Sequence, residues 1–338
     1  MEAKRLLGEI ATGQDPASDR DKMKADKTLA VVLEQFMAEH VRTKRKETTA
    51  REYQRIAKLY IVPRLGRRSI GEIKRPEIAK LHHELASKPY QANRTLAVLS
   101  KFFNWAEKHG LRPNGSNPCR HVDKYRESRR ERFLSEAELA RLGDALRAAE
   151  KERSSTPWAI AAIRLLTFTG ARLSEILTLR WEYISDQHAC LLLPDSKTGR
   201  KAVRLNAPAI ELLQSLPRLE NNPYVICGEK PGQHLVNLEK PWRRIRNVAE
   251  LKDVRLHDLR HSFASVAALG GQSLVVIGKM LGHSQPATTA RYAHLADDPV
   301  KAASDAVGRH IAVAMGGRTS GEIVDLPMSR SAAPKLAG

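Results

Sequence analysis

Apolar residues along most of this chain recur every three or four positions, and a single place breaks that rhythm. Leu29, Val32, Leu33 and Phe36 fall on one face of a helix. "ETTAREYQRIAKLYI" and "KRPEIAKLHHELA" repeat the pattern, the first with Thr48 or Thr49 as its cap. A fourth helix runs from about Gln91 to His109 on a stripe of Leu96, Leu99, Phe103 and Ala106, with Gly110 as its stop. No strand pattern competes there, so residues 28–115 read as a small all-helical domain. The break comes in "HACLLLPDSKTGRKAVRLN", where two apolar runs flank a turn at Thr198-Gly199. The expected fold class is therefore mainly α with a small β-hairpin or sheet, an α+β domain following an all-helical one.

Composition divides the rest. Residues 116–133 carry prolines, a glycine and a basic run with Lys124, Arg126, Arg129, Arg130 and Arg132, and read as a linker. A solvated linker and one lying on a phosphate backbone would need the same charges. Residues 134–312 form the second domain. Ser135, with Glu138 three residues on, opens it with a capping box. A helix around Trp158–Phe168 breaks at Gly170, and Arg172 stands in the first turn of the next, whose apolar face is Leu173, Ile176, Leu177 and Leu179. Helices follow at about 207–216, 238–249 and 257–269, the last ended by Gly270-Gly271. Another runs from Ser273 to Leu281, and Gly282 closes it at a left-handed position. "SQPATTARYAHL" restarts a short helix. Residues 1–27 are a polar segment, and 313–338 read as a flexible tail.

Lys and Arg number 57 against 38 Asp and Glu, a net charge of +19 over 338 residues. A chain this basic is drawn to polyanions, and nucleic acid heads that class ahead of ribosomes and anionic lipid. No apolar run approaches the roughly 20 residues of a membrane helix, and the start lacks the apolar core of a signal peptide. A cytoplasmic protein is expected, with no membrane partner. Cys119, Cys190 and Cys227 form no CxxC, so they read as small buried hydrophobes rather than as a zinc ribbon or disulfide framework.

The densest chemistry lies in "RLHDLRHSFA". His257, Arg260 and His261 fall at i, i+3 and i+4 and share a helix face. Two histidines four apart are the spacing of a zinc helix, but Asp258 stands where the metalloprotease pattern has Glu, and a guanidinium beside a dication is unfavourable. An anion suits the face better. Arg172 follows a glycine at a helix start, where backbone N–H groups already favour an anion. Two arginines can hold the two non-bridging oxygens of one phosphate. His257 and His283 can add donors or move a proton, and Lys197 sits at a hairpin turn from which an ammonium can reach a site. Tyr292 follows His283 by nine residues. Taken singly, each has a plainer reading: a helix surface, a helix end, a solvated lysine, a packed tyrosine.

In order and spacing, "TGARLSEILTLRW", "DSKTGRKAVRL", "HDLRHSFAS" and "LGHSQPATTARYAHL" resemble the tyrosine recombinases, the phage integrase family. The resemblance covers about Leu134 to Asp298 and extends more weakly over the helical first domain, which would bind the core site. It implies that Arg172 and Arg260 are catalytic arginines, Lys197 the hairpin lysine, His257 the partner of Arg260, His283 the histidine of the LGH motif, and Tyr292 the nucleophile. Glu175 matches an acidic position of the family, and His261 is expected to be a structural neighbour. "EAKRLLGEIATGQDPASDRDK" is similar to the last helix and exit of an amino-terminal arm-binding domain, without the strands that precede it there, and residues 1–27 are read as its remnant.

What the resemblance implies is a site-specific DNA recombinase. Tyr292 would form a 3′-phosphotyrosine link while Arg172, Arg260, His257 and His283 stabilise the phosphoryl charge and Lys197 protonates the leaving 5′-oxygen. Bond energy is kept in the covalent intermediate, so no cofactor, metal or ATP is expected. The expected partners are double-stranded DNA, three further copies in a homotetrameric synapse, and an accessory DNA-bending protein or directionality factor. Two alternatives use the same scaffold. A type IB-like topoisomerase would cut without synapsis, though the small helical first domain and the length favour the recombinase. A non-catalytic DNA-binding protein would have lost Tyr292 or an arginine, and neither is lost here.

Overall fold

The computed structural model describes residues 27–127, 130–196, 199–283, 285–295 and 297–315. The proposed arm-domain remnant, Arg129, Lys197 and the tail beyond residue 315 thus lie outside the described residues. The chain divides into two compact units, Met1–Arg129 and Arg130–Gly338.

The first unit is helical. Helix α1 (Leu29–Phe36) continues through a π-helical turn, Met37–Val41, and α2 (Glu47–Ile56) through another, Ala57–Ile61. Pro63 follows the second π turn and has no N–H for the preceding ladder. Then come α3 (Arg75–Glu84) and α4 (Pro89–Lys108). The α1 face is buried as its spacing predicts, and Phe36 meets Phe102 and Trp105 edge-on at ring distances of 5.6 and 5.5 Å. Gly110 ends α4 at φ 64°, with the Leu111 N–H bonded back to Ala106. The expected threonine cap of α2 is absent: Lys46 occupies the cap position and makes no side-chain cap bond.

The stretch read as a basic linker is held by specific contacts over much of its length. Cys119 and Val122 pack on the first core. Asn93 receives the Tyr125 N–H and donates to its carbonyl, and His82 stacks on the Tyr125 ring at 4.4 Å. Lys124 and Arg126 are exposed. Arg130 and Arg132 are engaged by carboxylates of the second unit, Arg130 with Asp258 at 3.3 Å and Arg132 with Glu138 and Asp253. These two cations are paired with carboxylates of their own unit.

The second unit contains α5 (Glu136–Lys151), α6 (Pro157–Thr169), α7 (Leu173–Leu177), a three-stranded antiparallel sheet of β1 (Ile184–Ser185), β2 (Cys190–Ser196) and β3 (Gly199–Arg204), then α8 (Ala207–Ser215), α9 (Glu239–Val248), α10 (Leu256–Leu269), α11 (Leu274–Leu281), α12 (Pro286–Thr289) and α13 (Asp297–Ala314). The strand pair stands where alternation put it. Leu191 pairs with Val203, and both face the core with Leu193, while Leu192 points out. The two-residue β1 carries too little pattern to be read from sequence. Ser135 accepts the Glu138 N–H while the Glu138 carboxylate accepts the Ser135 N–H, the reciprocal cap expected. Gly170 and Gly282 end α6 and α11 at φ 61° and 66°. The three cysteines are buried and free.

Candidate active site

The left-handed turn at Gly170 is where the site begins. A side chain there would collide with Phe263, so the chain can turn sharply from α6 and deliver Arg172 to the N-cap of α7. Glu175, one turn later, accepts both the Arg172 backbone N–H (2.9 Å) and its guanidinium (2.8 Å). This fixes the arginine at its root and near its head.

Ninety residues on, α10 carries Arg260 into the same turn. Its guanidinium donates to the carbonyl of Gly170 and, at 2.8 Å, to that of Leu281. One buried arginine thus ties together the ends of α6 and α11. The Gly282 turn after α11 lets the Lys201 stem pass: a Cβ at 282 would lie 2.3 Å from its Cε. The Lys201 ammonium bonds Glu175 at 2.9 Å. Glu175 therefore holds the Arg172 guanidinium with Oε1, and its Oε2 accepts both the Arg172 N–H and the Lys201 ammonium.

His283 follows, its Nδ1 2.8 Å from the Thr289 hydroxyl. Tyr292 stands in a 3₁₀ turn, Ala290–Leu295, and packs with Ala264, Ala268, Ile277 and Leu281. Its hydroxyl is 2.7 Å from His261 Nδ1. Arg291 reaches the other nitrogen of that ring at 3.4 Å. The His257 ring meets His261 edge-on, 5.0 Å between centres.

The charges are unbalanced. Arg172, Lys201, Arg260 and Arg291 act on a neighbourhood with two buried carboxylates, Glu175, bonded by Arg172 and Lys201, and Asp258, paired with Arg130. Burial is the largest influence on Glu175 and pushes its carboxyl up. The Arg172 N–H and Lys201 outweigh it, so the group sits below the ordinary carboxylate range. Burial, then Arg172, brings Arg260 down to about 10. Burial, then Arg260 and Arg172, holds His283 at about 4. His261 is also held at about 4, by burial and then by His257 and Arg291, and His257 is lowered by burial and Arg260. Tyr292 goes the other way: burial raises its phenol more than Arg291 and Arg260 lower it. The histidines and the phenol are thus uncharged at neutral pH.

Of the six residues singled out from sequence, Arg172, His257, Arg260, His283 and Tyr292 come together here. Lys197 lies outside the described residues. Four participants were missed or undervalued: Lys201, His261, Thr289 and Arg291. Lys201, four residues past Lys197, is the lysine seen in the cluster, and nothing in its spacing separated it from Arg200. His261, read as a structural neighbour, touches Tyr292 directly. Thr289 had no signal. Both nitrogens of His261 are engaged, which leaves it no free lone pair for a metal. Among the described residues no group of three or more His, Cys, Asp or Glu is placed to hold one. No helix among them is long and apolar enough to cross a membrane.

Residues 132–298 match the model of the phage integrase family, and residues 29–124 that of the phage integrase central domain. A tyrosine recombinase of Thermosipho africanus is 32% identical over 211 residues, 61% of this chain and 71% of that protein. A lambda integrase dimer bound to a core site has the same fold at a TM-score of 0.66 and 20% identity, over 88% of this chain and 86% of that one. A lambda integrase tetramer bound to a Holliday junction gives 0.64 and 20%, over 84% and 86%.

Proposed function

This chain belongs to the phage integrase family, the tyrosine recombinases, and on that premise we propose that it is a site-specific DNA recombinase acting through a phosphotyrosine intermediate. The phenol oxygen of Tyr292 attacks a backbone phosphorus. The new O–P bond forms as the bond to the 5′-oxygen breaks. The phenol gives up its proton to solvent water, the departing oxygen takes one from Lys197, and a 3′-phosphotyrosine remains. Rejoining is the reverse, so no bond energy is lost and no ATP is needed.

Arg172 and Arg260 grip the non-bridging oxygens, whose charge grows in the transition state. His257 and His283 donate further hydrogen bonds, and Lys197 protonates the 5′-oxygen. Lys201 and Glu175 keep Arg172 in position. The observation that carries this reading is the cation cluster: Arg172 and Lys201 bond the single carboxylate of Glu175, and Arg260 is buried beside them with its guanidinium on two carbonyls. A phosphodiester supplies the missing anion.

The helical first unit binds the DNA core site, and four copies assemble on two duplexes, a reading supported by likeness to integrases bound to a core site and to a Holliday junction. An accessory bending or directionality factor belongs to the same reading, as does work in the cytoplasm. The test is Tyr292→Phe on a nicked suicide substrate. DNA binding should survive, because one oxygen is lost and little packing, while the covalent adduct disappears. An adduct formed by the Phe variant would move the nucleophile elsewhere.

A further inference from the structure

We propose that His261 is a positioning residue for Tyr292, donating its Nδ1–H to the phenol oxygen, aiming that oxygen and stabilising the negative charge it gains during attack. This rests on Tyr292 being the nucleophile. The contact is short, 2.7 Å, with the two rings tilted by 52° and 6.0 Å apart. The direction of the hydrogen bond follows from the far side of the ring. Nε2 faces the Arg291 guanidinium at 3.4 Å. A guanidinium has only N–H groups to offer, so Nε2 must be the accepting nitrogen. A neutral imidazole has one donor and one acceptor, which leaves the proton on Nδ1.

The ring is neutral for a physical reason. It is half-buried, and it is surrounded by His257 and Arg260 on its own helix and by Arg291 beside Tyr292. Asp258 opposes them. Arg130, Glu131, Arg132 and His294 line the remaining side. The phenol oxygen therefore accepts from His261, and its own hydrogen points elsewhere, free to leave as the O–P bond forms. His261 cannot be the base that removes it, because the nitrogen nearest the phenol already carries a proton. The sequence places the pair economically: His261 directly follows Arg260, and Arg291 directly precedes Tyr292. Neighbours of two groups that meet the phosphate meet each other.

The test separates donor from acceptor at one site. His261→Asn places an amide N–H where Nδ1–H stands, and His261→Asp places an oxygen of nearly the same shape that can only accept. Single-turnover adduct formation on the nicked suicide substrate reads the chemistry, and DNA affinity is measured separately. We expect the Asn variant to cleave close to the wild-type rate. The Asp variant should be slower by about 10- to 100-fold, the worth of one hydrogen bond to a developing charge, with DNA affinity unchanged. A second readout needs no activity. In protein labelled with ¹³Cζ-tyrosine, the Tyr292 resonance, identified by its loss in Tyr292→Phe, should titrate lower in the wild type and the Asn variant than in the Asp variant. An Asp variant as fast as the Asn variant, or faster, overturns the proposal. If Tyr292→Phe still forms the adduct, the nucleophile assignment fails instead; if Tyr292→Phe is inert while Asp matches Asn, the His261 inference alone falls.

Discussion

The roles proposed for two lysines four residues apart at the hairpin can be told apart chemically. Lys201 is held against Glu175, the carboxylate that also holds Arg172, which suits it to positioning Arg172, and Lys197 is the proposed acid. An alkoxide is a poor leaving group, and a positioned acid is worth about 10²–10⁴-fold. Lys197→Ala should bind DNA and cut slowly. Replacing the bridging 5′-oxygen with sulfur should restore its rate, because a thiolate leaves without protonation. Lys201→Ala should be slow on both substrates. Rescue of Lys201→Ala by sulfur would reverse the two roles. The histidines give a second prediction at this scale. His283 and His261 are held at about 4, below their unfolded value near 6.5. Between those values the unfolded chain binds more protons, so stability is fully present above pH 6.5 and falls as the pH drops towards 4. Carboxylates such as Glu138, held at about 2, add a loss only below about pH 4.5. Thermal melts from pH 7 to 4.5 should show the histidine part alone, and His283→Asn should flatten it. A melting temperature that rises on acidification over that window would refute the neutral-histidine cluster.

At the scale of elements, the site is made from helix ends. The carbonyls after α6 and α11 are orphaned in the ordinary way of C-termini, and Arg260 satisfies one at each. Gly282 matters for two reasons: φ is positive, and its missing side chain leaves room for Lys201. Gly282→Ala should cost about 1–2 kcal/mol in stability from the left-handed backbone. It should cost more in cleavage than that loss explains, because the Lys201 stem must move off Glu175. Comparing folded-protein cleavage rates with melting data checks this; cleavage at the wild-type rate in the folded fraction would mean that Lys201 is not needed where it stands. The site's helices were readable because capping is local chemistry. Ser135 with Glu138, Gly170 and Gly282 all announced themselves within a few residues. The threonine cap of α2 misled, because Thr48 and Thr49 fit the cap pattern as well as any residue there and only the path of the chain decided for Lys46.

For the whole molecule, the net charge of +19 predicts a strongly salt-dependent partnership. If about six to ten phosphates are neutralised, DNA affinity should fall by roughly 10³–10⁵ between 50 and 200 mM salt. The slope of log affinity against log salt measures the number, and a flat response would mean that DNA is not the main partner. Arg130 and Arg132 should add little to that slope, since Asp258, Glu138 and Asp253 already hold them. Lys124 and Arg126, exposed nearby, are the better candidates.

What the sequence determined by itself was whatever is written in short range: the helix periods, the one strand pair, the caps and stops, and the order of the motifs that carry Arg172, His257, Arg260, His283 and Tyr292. Tertiary structure alone decided the contacts between segments. That Lys201 lies on Glu175, that Arg260 closes two helix ends, and that Tyr292 meets His261 depend on residues 21 to 90 positions apart. No local pattern encodes such meetings, because a hydrogen bond across the core depends on how the elements pack around it. The same is true of protonation. A histidine in the sequence is a group near 6.5, and only burial among arginines makes it a neutral one that can hold a tyrosine by its oxygen.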